Sequence, residues 1–535
     1  METIIYNPLE EYEKKFKHDH LAKTSEFFEA LVKKSGINIS ENRETVKQYN
    51  VYKENIKKLK RKRNWLRFFR VLMIITLILI PIVIWKMTPK IRKLKEEIEH
   101  ASDKADELLS KAYEQMAPLN RLFGERDCLE LIEKTVPLLD FEEYFTAEHE
   151  LDMITNFDFG EKLDREQSTL DVLSGRYNEN PFLFENKLVH RMGMETYHGY
   201  KTIHWTETYR DSEGRRQTRT RSQTLHASVT KPKPFYSTQV ILNYGSQGGP
   251  ELCFSRDASH LHKKSEGQLE RHIKRGEKKL KRMTDKAIKE NDDFMSMANS
   301  DFEVLFDALD RTNEVQFRTL FTPLAQTNMV DLILSKTGYG DDFNFYKLNR
   351  MNTIITNHSQ GRAIKLTPEA YVSYSFDIIK DNFINKNTEF FRAVYFDFAP
   401  LLAIPMYRDR PVHSLKPIPD HASLYSQREC EALANLVEKY RVVHPSSKTE
   451  AIIKSKYQYS DGKVDKTSVT SYSYDILKRI DVIPVWGGDG KLHNVNVPWD
   501  DYIPLEYYSS FSVATEQAAS GSEVLARHNG LCIFS

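Results

Sequence analysis

The sequence predicts an α+β membrane-anchored protein: N-terminal helices, one transmembrane helix continuing into a coiled-coil stalk, then a mixed body with antiparallel β-hairpins. Three observations predict it. Val71 to Trp85 reads VLMIITLILIPIVIW without a charge. Ile91, Leu94, Ile98, Ala101, Ala105, Leu108 and Ala112 recur at alternating spacings of 3 and 4, the period of a coiled-coil seam. Further on, stretches rich in Tyr, Thr and β-branched residues alternate with acidic Gly turns, as hairpins do.

The totals bound the function. The chain has 535 residues, 77 basic and 76 acidic side chains and a net charge of +1. That length exceeds one ordinary core, so several domains are expected. The balanced charge argues against a dedicated nucleic-acid binder, which is usually strongly basic. Cys128, Cys253, Cys430 and Cys532 are widely separated. Neither a local zinc ribbon nor a dense disulfide framework fits them.

The apolar run alone is short for a bilayer, which needs roughly 20 helical residues. Its flanks lengthen it to Leu66–Met87, with Arg67, Arg70 and Lys86 able to snorkel. The predicted anchor is Trp65, Val71, Leu72, Ile74, Ile75, Leu77, Ile78, Leu79, Ile80, Pro81, Ile82, Val83, Ile84 and Trp85, with an indole near each interface. Pro81 leaves a kinked or re-entrant helix as an alternative. More basic residues precede the run than follow it, which predicts a single-pass protein of the cell membrane with a cytoplasmic N-terminus. The side occupied by the body stays open.

Seven segments follow from the composition shifts. They are 1–65, N-terminal helices; 66–87, the transmembrane helix; 88–118, the heptad stalk, ended by Pro118; 119–262, an α+β segment with a projecting hairpin; 263–298, a basic coiled-coil-like helix; 299–445, a mixed α/β body; and 446–535, a β-rich end. The stalk can pair with a second copy, making a homo-oligomer, or with a helix of the same chain. The candidate partner helix carries Leu269, Ile273, Leu280, Met283 and Ala287 at heptad-like spacing.

Strands are expected at Tyr197–Tyr209 and Arg215–Thr230 around the turn Asp211-Ser212-Glu213-Gly214, with Lys231-Pro232-Lys233-Pro234 breaking the second strand. Thr218, Thr220, Ser222 and Thr224 share one face; Arg219, Arg221 and Gln223 share the other. Neither face is apolar, so the hairpin projects into water or meets a partner. Further hairpins are expected at Ile452–Tyr474 and at Val482–Trp499. Ser300 with Glu303, and Ser426 with Glu429, read as capping boxes.

Chemistry is sparse. Cys253, Asp257, His260 and His262 are all metal-ligand types, but no second pair closes the site, and the stretch reads equally as a polar linker. Gly245-Ser246-Gln247-Gly248-Gly249 lacks the lysine of a phosphate loop. No catalytic motif and no cofactor motif is legible, so no catalytic residue is named. Cys532-Ile533-Phe534-Ser535 has the form of a prenylation box, or is a chance apolar end.

Two stretches, SGRYNENPF (174–182) with its continuation through HRMGMETYHGYKTIHWTETY, and DRTNEVQFRTLFTPLAQTNMVDLI (310–333) with GYGDDFNFYKLNRMNTI, resemble an uncharacterised family of membrane-anchored proteins of Firmicutes and mycoplasmas. The resemblance implies a bacterial membrane protein and brings no activity or site residues. The expected function is therefore a non-enzymatic, membrane-tethered scaffold or binding protein that touches membrane lipid and a protein partner. The alternatives are a membrane-bound enzyme, such as a hydrolase, built from dispersed His, Asp and Cys, and an anionic-lipid or nucleic-acid contact through 271–289.

Overall fold

The computed structural model describes residues 6–75, 87–160, 165–210, 212–290, 294–408, 415–519 and 523–534. The chain forms two compact units. One comprises Met1–Leu9, Leu138–Ile364 and Phe396–Ser535; the other comprises Glu10–Pro137 and Lys365–Tyr395.

The second unit is helical. Helix α1 (Lys17–Ser35) ends at Gly36, whose φ of 64° suits a residue without a Cβ. Helix α2 (Ile39–Ile75) starts where Asn38 Oδ1 accepts the Glu41 N–H. Helix α3 (Thr88–Asn120) is followed by α4 (Asp127–Thr135). Phe28, Met116, Leu119, Leu131, Tyr371, Ile379 and Phe383 form their shared core. Pro118 does not end α3 but lies in its last turn.

The predicted single rod through 66–117 is two helices folded back on each other. The start of α2 lies beside the end of α3: Gln115 Nε2 donates to Glu41 Oε1 at 3.0 Å, and Lys111 faces Glu41 at 3.7 Å. The heptad seam Ile91, Leu94, Ile98, Ala101, Ala105 and Ala112 is buried, with Leu108 half-buried. Opposite it, residues at 42, 45, 49, 52, 56, 59, 63 and 66 are buried or half-buried. Their alternating spacings of 3 and 4 are the partner seam.

Among the described residues no helix is long and apolar enough to cross a membrane. This overturns the transmembrane element of the predicted fold, and with it the single-pass membrane assignment and the cytoplasmic N-terminus argued from it. The reason is local. Val71, Leu72, Ile74 and Ile75 belong to α2, whose preceding turns carry Lys57, Lys58, Lys60, Arg61, Lys62, Arg63, Arg67 and Arg70. Trp65, 64% exposed, lies with its ring tilted against that of Phe69, centres 4.3 Å apart. Leu77, Ile78, Leu79, Ile80, Pro81, Ile82, Val83, Ile84 and Trp85 lie outside the described residues.

The other unit is built on two antiparallel sheets. The first has the order β1-β2-β3-β4-β7-β6-β5, with β1 Leu139–Phe141, β2 Gln167–Tyr177, β3 Asn180–Arg210, β4 Arg216–Gly245, β5 Cys253–Arg256, β6 Phe343–Leu348 and β7 Met351–Thr356. The second has the order β11-β12-β10-β9-β8, with β8 Ile452–Ser460, β9 Asp465–Trp486, β10 Leu492–Thr515, β11 Val524–His528 and β12 Leu531–Phe534. The two predicted C-terminal hairpins share β9, which runs on as one strand. Strand β4 likewise passes through Pro232 and Pro234, paired with Met194 and Met192. It has no neighbour on its other side there, and an edge strand tolerates a missing N–H.

Helix α5 (Ala147–Phe157) packs against these sheets; α6 (Glu266–Glu290) lies against α7 (Ser300–Phe306), which packs on the sheets as α8 (Gln427–Leu436) does. The cap of α7 is Asn299, which accepts from Phe302 N–H, while Ser300 Oγ donates to Glu277. Ser426 caps α8 by accepting from Glu429 N–H. Helix α8 joins the sheets through buried carboxylates. Glu429 accepts from Phe145 N–H at 3.0 Å, and Glu431 from Thr169 N–H at 3.1 Å and from Lys454 at 2.9 Å. Cys532 is buried in β12 opposite Ala514, so its thiol is covered.

Candidate functional site

The most extended feature is a pair of hairpins. Strands β3 and β4 hold 31 and 30 residues and pair in register from Phe182 and Tyr244 to Arg210 and Arg216. Beyond His190, which lies against the rings of Tyr236 and Tyr474, β3 continues for about 65 Å at roughly 3.3 Å per residue. Strands β9 and β10 form the second hairpin, paired from Trp486 and Leu492 downwards.

The two hairpins stack face to face. Ile203, Leu225 and Ala227 of the first and Val495 and Val497 of the second make a small core, with Tyr197, Trp205, Val229, Ile483 and Val485 packed on it. Gly199 permits the close approach, because a Cβ there would lie 2.2 Å from the Asn496 carbonyl oxygen. Polar contacts flank the core. Lys201 Nζ donates to Asn494 O at 3.0 Å, and Gly488 N–H to Gln223 Oε1 at 2.6 Å. Lys231 lies over the Trp499 ring at 4.2 Å and pairs with Asp481 at 2.7 Å. Two stacked hairpins with a core of their own make a stiff arm, which one hairpin in water is not.

The outer faces differ. On β9–β10, Trp486 and Leu492 are opposite each other, and Val482 and Ile480 follow on the same face. Their exposures are 69%, 53%, 53% and 61%. An aligned row of large apolar side chains in water marks a contact surface. On β3–β4 the outer face is a hydroxyl ladder: Thr196 pairs with Thr230 and Thr202 with Thr224, with His198 and His226 2.9 Å apart between them. At the tip Glu207 is held by Arg219 at 3.2 Å and by Arg221. The predicted arginine face thus belongs to the inner side of the hairpin.

Buried charge clusters surround the loop Gly338–Phe343. Asp341 binds the fully buried Arg256, whose guanidinium lies 4.1 Å from the Phe343 ring centre. Asp342 Oδ2 accepts from His358 Nδ1 at 2.7 Å, and Asp397 Oδ1 faces His358 Nε2 at 3.3 Å. Asp397 also takes Ser359 Oγ and Arg362. Tyr339 stacks on His358 at 3.7 Å. Burial pushes the His358 pKa down, but the hydrogen bonds to both carboxylates outweigh it and raise it to about 9. An imidazolium that donates from both nitrogens is a clamp, not a general base.

The other titratable groups are similarly engaged. A cavity of about 430 Å³ is lined by Glu150, Tyr425, Gln427, Arg428, Cys430 and Thr467, among others. Its Arg428 is neutralised by Glu150 and Glu185. Burial pushes the Cys430 thiol far up, away from the reactive thiolate. Lys347 is buried, its pKa lowered to about 7 by desolvation, and it donates to Asn349 O at 2.6 Å.

The four metal-ligand types fall apart. Cys253 contacts Asn349, Asp257 accepts from Tyr346 OH, His262 Nδ1 accepts from Asp341 N–H, and His260 is exposed. Among the described residues no group of three or more His, Cys, Asp or Glu is placed to hold a metal ion.

The fold and this surface define an α+β protein of two units whose exposed specialisation is a stiff four-stranded arm. No protein-family model, no curated protein and no solved structure matches the chain. Its reading rests on its own residues.

Proposed function

We propose that this chain is a non-enzymatic scaffold or binding protein whose contact element is the hairpin arm, and that its partner is a protein. The carrying observation is the row Trp486, Leu492, Val482 and Ile480 on the outer face of an arm that already has its own core. These side chains add little to the fold where they stand. Covering a large apolar side chain is worth on the order of 1.5–3 kcal/mol, and a half-exposed one about half of that. A rigid aromatic at the end of such a row has the character of an interface hot spot.

The test is site-specific photo-crosslinking in the cells of origin, with the probe at Val482 or at a half-exposed control such as Lys466. One dominant protein adduct at Val482, absent at Lys466 and lost with Trp486→Ser, is the expected result. No adduct at Val482, or turnover by the purified chain in a hydrolase and nucleotide panel, would overturn the proposal.

A further inference from the structure

Helix α6 carries a second surface that the arm does not use. Its apolar stripe, Leu269, Ile273, Gly276, Leu280, Met283 and Ala287, follows one side of the helix. Leu280 and Ala287 are buried, and Gly276 lies so close to Val304 of α7 that a Cβ would stand 2.3 Å from its side chain. At 100° per residue, Arg271, Arg275, Lys278, Arg282, Lys286 and Lys289 fall on the opposite side, and all six are exposed. Lys274, Lys279 and Lys281 widen this face, which holds one acid, Asp285.

The seam of α3, the expected coiled-coil partner, is taken by α2 and so is not needed by the basic face. The ion pairs that touch it are loose and exposed: Lys279 with Asp307 at 3.7 Å and Lys286 with Glu290 at 3.6 Å. Such pairs contribute little. Glu277 points instead to Ser300. The six cations span about 27 Å at 1.5 Å per residue, one for each 5 Å or so.

We propose that this face binds the phosphate backbone of duplex DNA without reading sequence. Charge is the only chemistry it offers, which suits a regular polyanion. It holds no Trp, Tyr or Phe, so it lacks both the anchors of a protein interface and the stacking platforms of a single-strand binder. An amphipathic helix bound to a lipid surface inserts its apolar side; here the middle of that side, at Gly276, is packed against Val304 of α7. The chain's net charge of +1 does not oppose this, because phosphate attraction is screened within about 10 Å and is set by the local face.

Fluorescence anisotropy of the full chain with a labelled duplex of about 20 base pairs tests it across roughly 50 to 200 mM salt. If all six cations meet phosphates, the slope of log K against log salt is about −5, and affinity falls about a thousandfold over that range. The triple variant Arg275→Glu, Lys278→Glu, Arg282→Glu should lose about 3 from the slope and bind more than tenfold more weakly, with an unchanged circular dichroism spectrum. The double variant Arg216→Glu, Arg219→Glu at the arm tip should bind as the wild type does, which separates this surface from the arm. Absence of duplex binding at low salt, binding the triple variant retains, equal binding to poly-glutamate, or binding to phosphatidylserine vesicles alone would each overturn the assignment.

Discussion

Raising the pH releases a clamp in the two-sheet unit. His358 titrates near 9 in the fold against an ordinary 6.5. A group raised in the folded state contributes stability that is complete below 6.5 and is lost as the pH climbs through 9. The gap between 6.5 and about 9 is worth about 3 kcal/mol at 1.36 kcal/mol per pH unit. The ring is buried between Asp342 and Asp397, so solvent screening takes little of this away. Lys347 complicates the raw curve. Desolvation lowers it to about 7, so its own contribution grows as the pH rises from 7 towards its unfolded value, with the opposite sign. The comparison must therefore be wild type against His358→Gln, in which Lys347 and the buried thiols cancel. Urea unfolding at intervals from pH 6 to about 10 should show the wild type ahead of His358→Gln at pH 6, the gap closing by about 3 kcal/mol through pH 9. A gap that stays constant with pH, or widens, would refute the clamp. So would an NMR titration placing the His358 ring at its ordinary value.

Other perturbations are read from single contacts. Gly199→Val drives side-chain atoms into Asn496 O, where even a Cβ lies at 2.2 Å; overpacking of about 1–3 kcal/mol should open the arm, seen as faster hydrogen exchange of Val495 and Val497. Trp486→Ser should leave the melting temperature within about 1 °C, because the ring is 69% exposed and surface changes usually fall within about 0.5 kcal/mol. In the helical unit, burial holds His20 near 4, with its ring on Phe391 at 4.1 Å. Its stability contribution is present above 6.5 and lost as the pH falls towards 4, so denaturant titrations should show the unit weakening across that window and His20→Gln flattening the slope. Of the four thiols only Cys253 is not buried, so an aromatic disulfide reagent should label one thiol in the native chain and four in urea.

What the sequence showed and what it hid divide along the range of the interactions. The α3 seam was legible because heptads are local, and the hairpins because DxxG turns and alternation are local. The partner of that seam was equally periodic, at positions 42 to 66. Its Asn42, Thr45, Tyr49 and Arg63 lack apolar character, so hydrophobicity alone passed over it. That omission mattered more than any other. Once α2 is the partner of α3, the heptads imply a pair of helices within this unit and not a stalk that needs a second copy. The capping signal at Ser300 was one residue off: the neighbouring Asn299, a cap type of equal rank, accepts the Phe302 N–H.

The charge clusters were illegible for a different reason. Arg256 meets Asp341, His358 meets Asp397, and Arg428 meets Glu150 and Glu185 across long stretches of chain. Nothing periodic links such residues. They bear on function by what they occupy. The fold holds His358 between two carboxylates, Cys430 as a buried thiol, and Arg428 between Glu150 and Glu185. Two exposed rows stand apart from these clusters: apolar residues on the arm, and cations on a helix that packs at Gly276 against α7. Under the function proposed above, a partner gains its free energy by covering such rows, because the buried groups are already out of water.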